Sequence, residues 1–242
     1  MRIISRRVGW ALIGAGLFVF AFLGYQLYVT DFLNSRTQTA ASAALDGALA
    51  DRRMDLPAPE VVVVPTTQPE VAPEVAEPPP QVTYLPETAG EEGEAVARLI
   101  IESIDVDEVV FAGVSRDTLK KGPGHMLFTP VPGQPGNAVL SGHRTTYGRP
   151  FYDLDVLELG DLIEIETALG THVFAVRRSF VVAPTDVWVT DSLDGAWLTL
   201  TTCHPHFSAA ERLIIQAELV DGPNVEYANL VREQGPLREE PT

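Results

Sequence analysis

The chain has 242 residues, with 33 acidic side chains against 17 basic ones and a formal net charge of −16 at neutral pH. This balance argues against a nucleic-acid partner, because phosphates demand a basic surface. It also argues against a surface that adheres to anionic lipid headgroups. The composition suits an acidic, soluble domain.

The N-terminal region has the pattern of a membrane anchor. Three arginines occur within the first seven residues, and no charge follows between Val8 and Thr30. Such a run exceeds the apolar core of a cleaved signal and is long enough for a bilayer, which needs about 20 apolar residues. Because basic flanks stay in the cytoplasm, we expect a cytoplasmic N-terminus at 1–7, a single-pass signal anchor at 8–30 in the cell membrane, and an extracellular location for the rest of the chain.

The next segment, residues 31–95, is first Ala-rich and then rich in Pro and Glu, as in "PEVAPEVAEPPP". The second part cannot bury enough apolar area to offset its ordering entropy. We therefore predict an extracytoplasmic, disordered stalk, in which the Ala-rich part could form a short helix interrupted by Gly47. The last residues, 223–242, are predicted to be a flexible tail.

Residues 96–222 are predicted to form the folded unit. Its segments are short, rich in Val, Ile and Leu, and bounded by Gly, Pro or Asp, which is typical of strands. The strand candidates are "ARLIIESI", "VVFAGV", "NAVLSGH", "LIEIET", "THVFAVRRSFVVA", "AWLTLTTC" and "RLIIQAELV". This spacing favours a mainly β fold, a single closed or nearly closed β-barrel of seven to eight strands with short helices.

The chain has one cysteine, Cys203, which in an exported protein requires an explanation. Leucine and threonine alternate before it, so Cys203 ends a strand just before His204-Pro205. The next strand begins near Arg212. If the two strands pair antiparallel, Cys203 and Arg212 are neighbours across the sheet.

A thiolate nucleophile needs a proton acceptor, and histidine is its usual partner. His143 ends the strand "NAVLSGH" and can project over the same rim as Cys203. His204 is expected to point to the opposite face, and His172 to be a solvent-exposed turn residue. Arg144 and Arg149 lie outside this group and are expected to tolerate exchange to lysine better than Arg212 does.

Three motifs in order, "SGHR", "TLTTCHP" and the following Arg212, resemble the sortase transpeptidases, and the wording is most similar to their class E. The resemblance implies a compact β-barrel with a Cys203, His143 and Arg212 constellation. It implies that Cys203 is the nucleophile, that His143 is the general acid and base, and that Arg212 holds the substrate and its oxyanion. Thr202 is a candidate for the wall of the substrate pocket.

The same resemblance implies the reaction and the partners. A C-terminal sorting signal of the LPxTG type, or LAxTG by similarity to class E, is cleaved between Thr and Gly through a thioacyl enzyme. A cell-wall precursor then supplies the acceptor amine. No cofactor, metal or nucleic acid is expected.

Three other classes of function remain open from the residues. A Cys–His cell-wall peptidase of another fold is one, although such nucleophiles often begin a helix. A metal site built from Cys203, His204 and His206 has suitable ligand types but crowds them around a proline. A non-catalytic binding module would leave the thiol without a role.

Overall fold

A computed structural model describes residues 2–25, 30–63 and 81–234 of the chain. The four helices are α1 (Arg2–Gly24), α2 (Thr30–Met54), α3 (Arg116–Leu119) and α4 (Val225–Gln234). The strands are β1 (Glu60–Val63), β2 (Gln81–Tyr84), β3 (Ala95–Ile101), β4 (Val106–Ala112), β5 (Gly124–His125), β6 (Gly136–Ser141), β7 (Leu162–Thr167), β8 (Gly170–Val182), β9 (Ala196–His204) and β10 (Glu211–Asp221).

Strands β3 to β10 form a closed barrel in the order β10-β8-β7-β3-β4-β5-β6-β9. The predicted barrel of seven to eight strands is confirmed, and the eighth strand is the two-residue β5. A hairpin joins β7 to β8, with Thr167 opposite Gly170. Two neighbouring pairs, β4 with β5 and β6 with β9, are parallel, so the C-terminal ends of both strands of a pair point to the same end of the barrel.

The barrel interior follows the alternation of the sequence. In β7, Ile163 and Ile165 are fully buried, whereas Glu164 and Glu166 point toward the outside. Apolar side chains from every long strand join them in one cluster, including Leu99, Leu140, Leu198 and Ile215. Each such burial stabilises the fold by about 1.5–3 kcal/mol.

Helix α2 corrects the stalk prediction for the Ala-rich segment. It is 25 residues long and packs against β3 and β4. Leu45 and Leu49 form a small apolar cluster with Val109 and Phe111. The Gln38 amide bonds the Val109 main chain in both directions, at 2.7 and 3.1 Å. Because these contacts offset the ordering entropy, the segment is part of the folded domain.

Both segments that border the barrel in sequence are also ordered against it. Asn224 accepts from the Leu85 amide at 2.8 Å and donates to its carbonyl at 2.9 Å. Gln134 bonds Leu85 and the Tyr84 hydroxyl. Helix α4 replaces the first half of the predicted flexible tail. The Pro-rich residues 64–80 and the end of the tail, 235–242, lie outside the described residues.

The N-terminal helix α1 covers most of the segment that was predicted to be a membrane anchor. Within the described ranges, no helix has both the length and the hydropathy that crossing a membrane requires. Residues 26–29, in the last part of the predicted anchor, lie outside those ranges. The anchor at 8–30 therefore stays a prediction.

Candidate active site

The register of β9 and β10, the last two strands of the barrel in sequence, positions two residues of the candidate site. In the antiparallel pair of β9 and β10, Cys203 lies directly opposite Arg212. This confirms the neighbours expected from their spacing in the sequence. Both residues are half-buried, and Cys203 is a free thiol. The thiol and the guanidinium therefore share one barrel rim.

The parallel pairing of β6 with β9 brings His143 to the same rim. Ser141 pairs with Thr201, and the Gly142 amide donates to the Thr201 carbonyl at 3.2 Å. His143 and Cys203 are each two residues beyond that last pair, so they lie at the same level, His143 in the loop after β6 and Cys203 still within β9. The structure thus brings together all three predicted residues of the constellation.

Thr202 ties these two strands together. Its side chain is 2% exposed, and its hydroxyl donates to the Gly142 carbonyl at 2.8 Å. The strand with the thiol is thereby bonded to the residue that precedes His143. A contact between Thr202 and substrate stays a prediction, whereas its role as a tie is visible in the structure.

Gly142 permits a close approach beside His143. A Cβ atom at Gly142 would lie 2.6 Å from the Phe151 ring, which is fully buried. The Phe151 amide donates to the His143 carbonyl at 3.2 Å, which closes the loop between them. The loop 143–151 is therefore closed by a hydrogen bond between its two ends, and His143 is one of these ends.

The His143 ring is half-buried and stacks at a tilt on Tyr147, with 5.0 Å between the ring centroids. Burial lowers the pKa of His143 below its ordinary value, because the imidazolium loses hydration. At neutral pH the ring is therefore mainly neutral and able to accept a proton from a thiol.

The Arg212 side chain is fixed by the main chain beside it. Its Nη1 donates to the Ala209 carbonyl at 3.1 Å and to the Glu211 carbonyl at 2.8 Å. These two bonds use both hydrogens of Nη1, so the donors of the guanidinium that remain are Nε and Nη2. The planar fork is pre-oriented by the protein itself.

Arg144, the residue after His143, lies in a buried hydrogen-bond network. The sequence interpretation left it outside the group of Cys203, His143 and Arg212, and the structure shows that it is only 2% exposed. Its Nη1 donates to His204 Nδ1 at 2.9 Å, and its Nε to the Tyr152 carbonyl at 3.2 Å. Its Nη2 lies 2.7 Å from Asp155 Oδ1, out of line for a hydrogen bond, so this ion pair is mainly Coulombic.

This network also bears on the metal alternative. His204 uses Nδ1 to accept from a guanidinium, and His206 donates through Nε2 to the Tyr152 carbonyl at 2.9 Å. A cation next to a ligand nitrogen opposes a second cation. Within the part of the chain that the structure describes, no three His, Cys, Asp or Glu side chains form a group that could hold a metal ion.

His172 was expected in an exposed turn, and this expectation is wrong. The side chain is fully buried, and burial lowers its pKa to about 4. Its Nε2 lies 3.2 Å from the Thr167 hydroxyl, which donates to Glu87 at 2.7 Å. Glu87 lies in the segment before the barrel and binds the turn between β7 and β8. Reasoning from the residues next to His172 in the sequence could not predict this contact.

A pocket of about 420 Å³ opens at the same barrel end, between the β3–β4 turn and the loop after His143. Phe111 pairs with Gly124, and Gly124 pairs with Ser141, so these three residues lie at one level of the sheet. Because β4 and β6 run in opposite directions, the residues before Phe111 lie beside those after Ser141. Glu108 lines this pocket, and burial raises its pKa to about 7.

Comparison with known proteins assigns the barrel sequence to a family. A family model described as "Sortase domain" matches residues 99–220. This chain belongs to the sortase family. Sortase SrtE1 of Streptomyces coelicolor is 34% identical over 147 residues, which cover 54% of this chain and 42% of SrtE1. The match with this chain thus covers less than half of the length of SrtE1.

Solved structures agree with the fold of this sortase. Sortase E from Streptomyces avermitilis has a TM-score of 0.51 and 33% identity, covering 56% of this chain and 94% of that one. Clostridium perfringens sortase C, solved with the C-terminal cell wall sorting motif, also has a TM-score of 0.51, with 30% identity over 55% of this chain and 74% of that one. The resemblance to class E is confirmed by SrtE1 and sortase E.

Proposed function

We propose that this sortase is a cysteine transpeptidase that cleaves a C-terminal sorting signal between Thr and Gly and transfers the protein to an amine of a cell-wall precursor. The observation that carries the proposal is the strand register, which puts Cys203 opposite Arg212 and level with His143. Membership of the family supports the same chemistry.

The first half of the reaction uses the neutral imidazole. Because burial lowers the pKa of His143, the ring accepts the thiol proton as Cys203 Sγ attacks the Thr carbonyl carbon. The resulting tetrahedral oxyanion collapses, the C–N bond breaks, and the imidazolium donates its proton to the departing Gly amine. The products are a thioester on Cys203 and the free downstream peptide.

The second half reverses the proton path. The acceptor amine attacks the thioester carbon and gives a proton to His143, and the imidazolium returns a proton to the departing sulfur. An amide forms, the thioester breaks, and the enzyme is regenerated. Throughout both halves, Arg212 Nε and Nη2 are the donors proposed for the substrate oxygen.

The proposed substrates are secreted proteins with an LPxTG-like signal, and the resemblance to class E favours LAxTG. The Clostridium perfringens sortase C structure with a sorting motif supports a signal of this general kind. A panel of peptides that differ only at the second motif position, Pro against Ala, decides between the two.

The test is amide exchange. The full-length chain is incubated with a sorting peptide and an amine acceptor, and mass spectrometry follows the exchanged amide. We expect turnover by the wild type and none by Cys203→Ala. Full activity of Cys203→Ala would exclude the thioacyl mechanism. Arg177→Lys, a surface change at the Arg177–Glu218 pair, serves as the control.

The same assay separates the peptidase alternative. A Cys–His peptidase releases the hydrolysed acid even when the acceptor amine is abundant, whereas a transpeptidase shifts to the amide as acceptor is added. The position of Cys203 within strand β9 rather than at the start of a helix supports transpeptidation.

Residues 8–30 are proposed to anchor this sortase in the cell membrane, with the barrel outside. The support is the uncharged run that follows the N-terminal arginines. Cell fractionation combined with protease accessibility tests the proposal. Recovery of the full-length chain in the soluble fraction would contradict it.

A further inference from the structure

The loop after His143 contains an unusual turn. Tyr147, Gly148 and Arg149 are consecutive residues with positive φ angles of 53°, 80° and 54°. Side chains with a Cβ atom adopt this region reluctantly, because Cβ crowds the following carbonyl oxygen. Such a turn persists where its surroundings hold it in place, and turns of this kind concentrate near functional sites.

Helix α2 supplies the contacts that hold the turn. Asp31 accepts a hydrogen bond from the Gly148 amide through Oδ1 at 3.0 Å. Its other oxygen, Oδ2, lies 3.3 Å from Arg149 Nε. A single carboxylate at the start of α2 therefore binds two of the three left-handed residues.

The start of α2 is itself anchored on the barrel. Asn34 is 4% exposed and donates to the Lys120 and Lys121 carbonyls at 2.9 and 3.0 Å. A Cβ atom at Gly148 would lie 2.1 Å from Asn34 Oδ1, so helix and turn are in direct contact. Asp31 thus bonds the turn from a fixed position.

The 147–149 turn also contacts the imidazole of His143. Tyr147 is the residue whose ring stacks on His143, at 5.0 Å between centroids. The other end of the loop returns to His143 through the Phe151 amide. The contacts form a chain from Asp31 through the 147–149 turn and Tyr147 to His143.

We propose that Asp31 is a positioning residue for the transpeptidation reaction: by holding the 147–149 turn, it keeps Tyr147 packed on His143 and fixes the orientation of the imidazole toward Cys203. Helix α2 then belongs to the catalytic apparatus as well as to the fold. The inference rests on the proposed role of His143.

The experiment compares Asp31→Ala with Arg53→Ala in the full-length chain. Arg53 is near the other end of α2 and donates to the Ala168 carbonyl at 2.7 Å, so its loss loosens the helix without touching the turn. We expect Asp31→Ala to lower kcat about 10-fold or more with KM nearly unchanged, because misplacement of an acid–base group slows chemistry. Arg53→Ala should lower Tm and leave kcat near the wild-type value.

Two further readouts separate positioning from stability. NMR signals of the His143 ring should shift in Asp31→Ala and stay unchanged in Arg53→Ala, whether or not the peptide is a substrate. Asp31→Asn keeps an acceptor for Gly148 and should recover part of kcat. If Asp31→Ala changes only Tm, with wild-type kcat and ring signals, Asp31 has no positioning role.

The proposed function is tested separately by His143→Ala in the same assay. If His143→Ala stays active, the acid–base assignment fails. If the wild type itself gives no exchanged amide, the proposed reaction fails. In either case, the NMR comparison still reports whether Asp31 orients the ring.

Discussion

The buried His172 is expected to make stability depend on pH in a way that one substitution can isolate. Burial lowers the pKa of His172 from the ordinary 6.5 to about 4. The unfolded chain therefore binds a proton that the folded protein resists between these values. The free energy of unfolding is unaffected above pH 6.5 and falls as the pH drops toward 4. At 1.36 kcal/mol per pKa unit, this amounts to about 3 kcal/mol.

The measurement is urea denaturation of the wild type and His172→Gln at intervals from pH 8 to pH 4. The substitution changes packing, but this cost does not depend on pH and cancels in the trend. The stability difference, wild type minus variant, should be constant above pH 7 and then decline by about 3 kcal/mol toward pH 4.

Glu87 is the neighbour that could distort this trend. Burial raises its pKa, so its contribution has the opposite direction and is lost as the pH rises through the folded value. It lies one residue away in the hydrogen-bonded chain through Thr167. Repeating the comparison in a Glu87→Gln background removes this coupling. A difference that stays flat from pH 8 to pH 4 in both backgrounds would refute the argument.

Three further substitutions test other parts of the structure. Glu108→Gln should stabilise the protein by about 1–3 kcal/mol at pH 8 and have little effect at pH 4, because burial raises the pKa of Glu108 to about 7 and its ionisation lowers stability as the pH rises; denaturation at both pH values checks this. Arg212→Lys should keep Tm but lower kcat/KM about 10²-fold, with Arg177→Lys near wild type; equal kinetics would remove Arg212 from the site. Arg144→Lys should lower the unfolding free energy by about 2–3 kcal/mol, since lysine cannot reach the three partners of the guanidinium; an unchanged melting curve would contradict this.

The parts of the fold that sequence reasoning predicted are those with a local pattern. Alternation in β7 and the leucines of β9 showed which face is buried. The spacing from Cys203 to Arg212 sufficed to predict their pairing, because a short connection between antiparallel strands leaves few registers. Strand β5 was missed because two residues are too few for any periodicity.

The parts that were missed depend on contacts between distant segments. Helix α2 does carry a stripe, Asn34, Gln38, Ala41, Leu45 and Leu49, but its first half is polar or small, so it resembles no amphipathic helix by hydropathy. His172 is buried against Gly133 of a distant loop, and Arg144 has a partner 60 residues away. Neither environment leaves a signal beside the residue itself.

If residues 8–30 anchor the chain in the membrane as proposed, the docking of α2 limits how far the barrel can lie from the bilayer. A Pro-rich tether over residues 31–95 would reach about 200 Å at ~3.1 Å per residue. Instead, Asp31 accepts a hydrogen bond from Gly148 in the loop 143–151. From Tyr25, the end of the first described range, to Thr30, the chain can extend at most about 18 Å. With 8–30 in the membrane, the enzyme would act close to the lipid surface, and its two substrates would both have to reach it there.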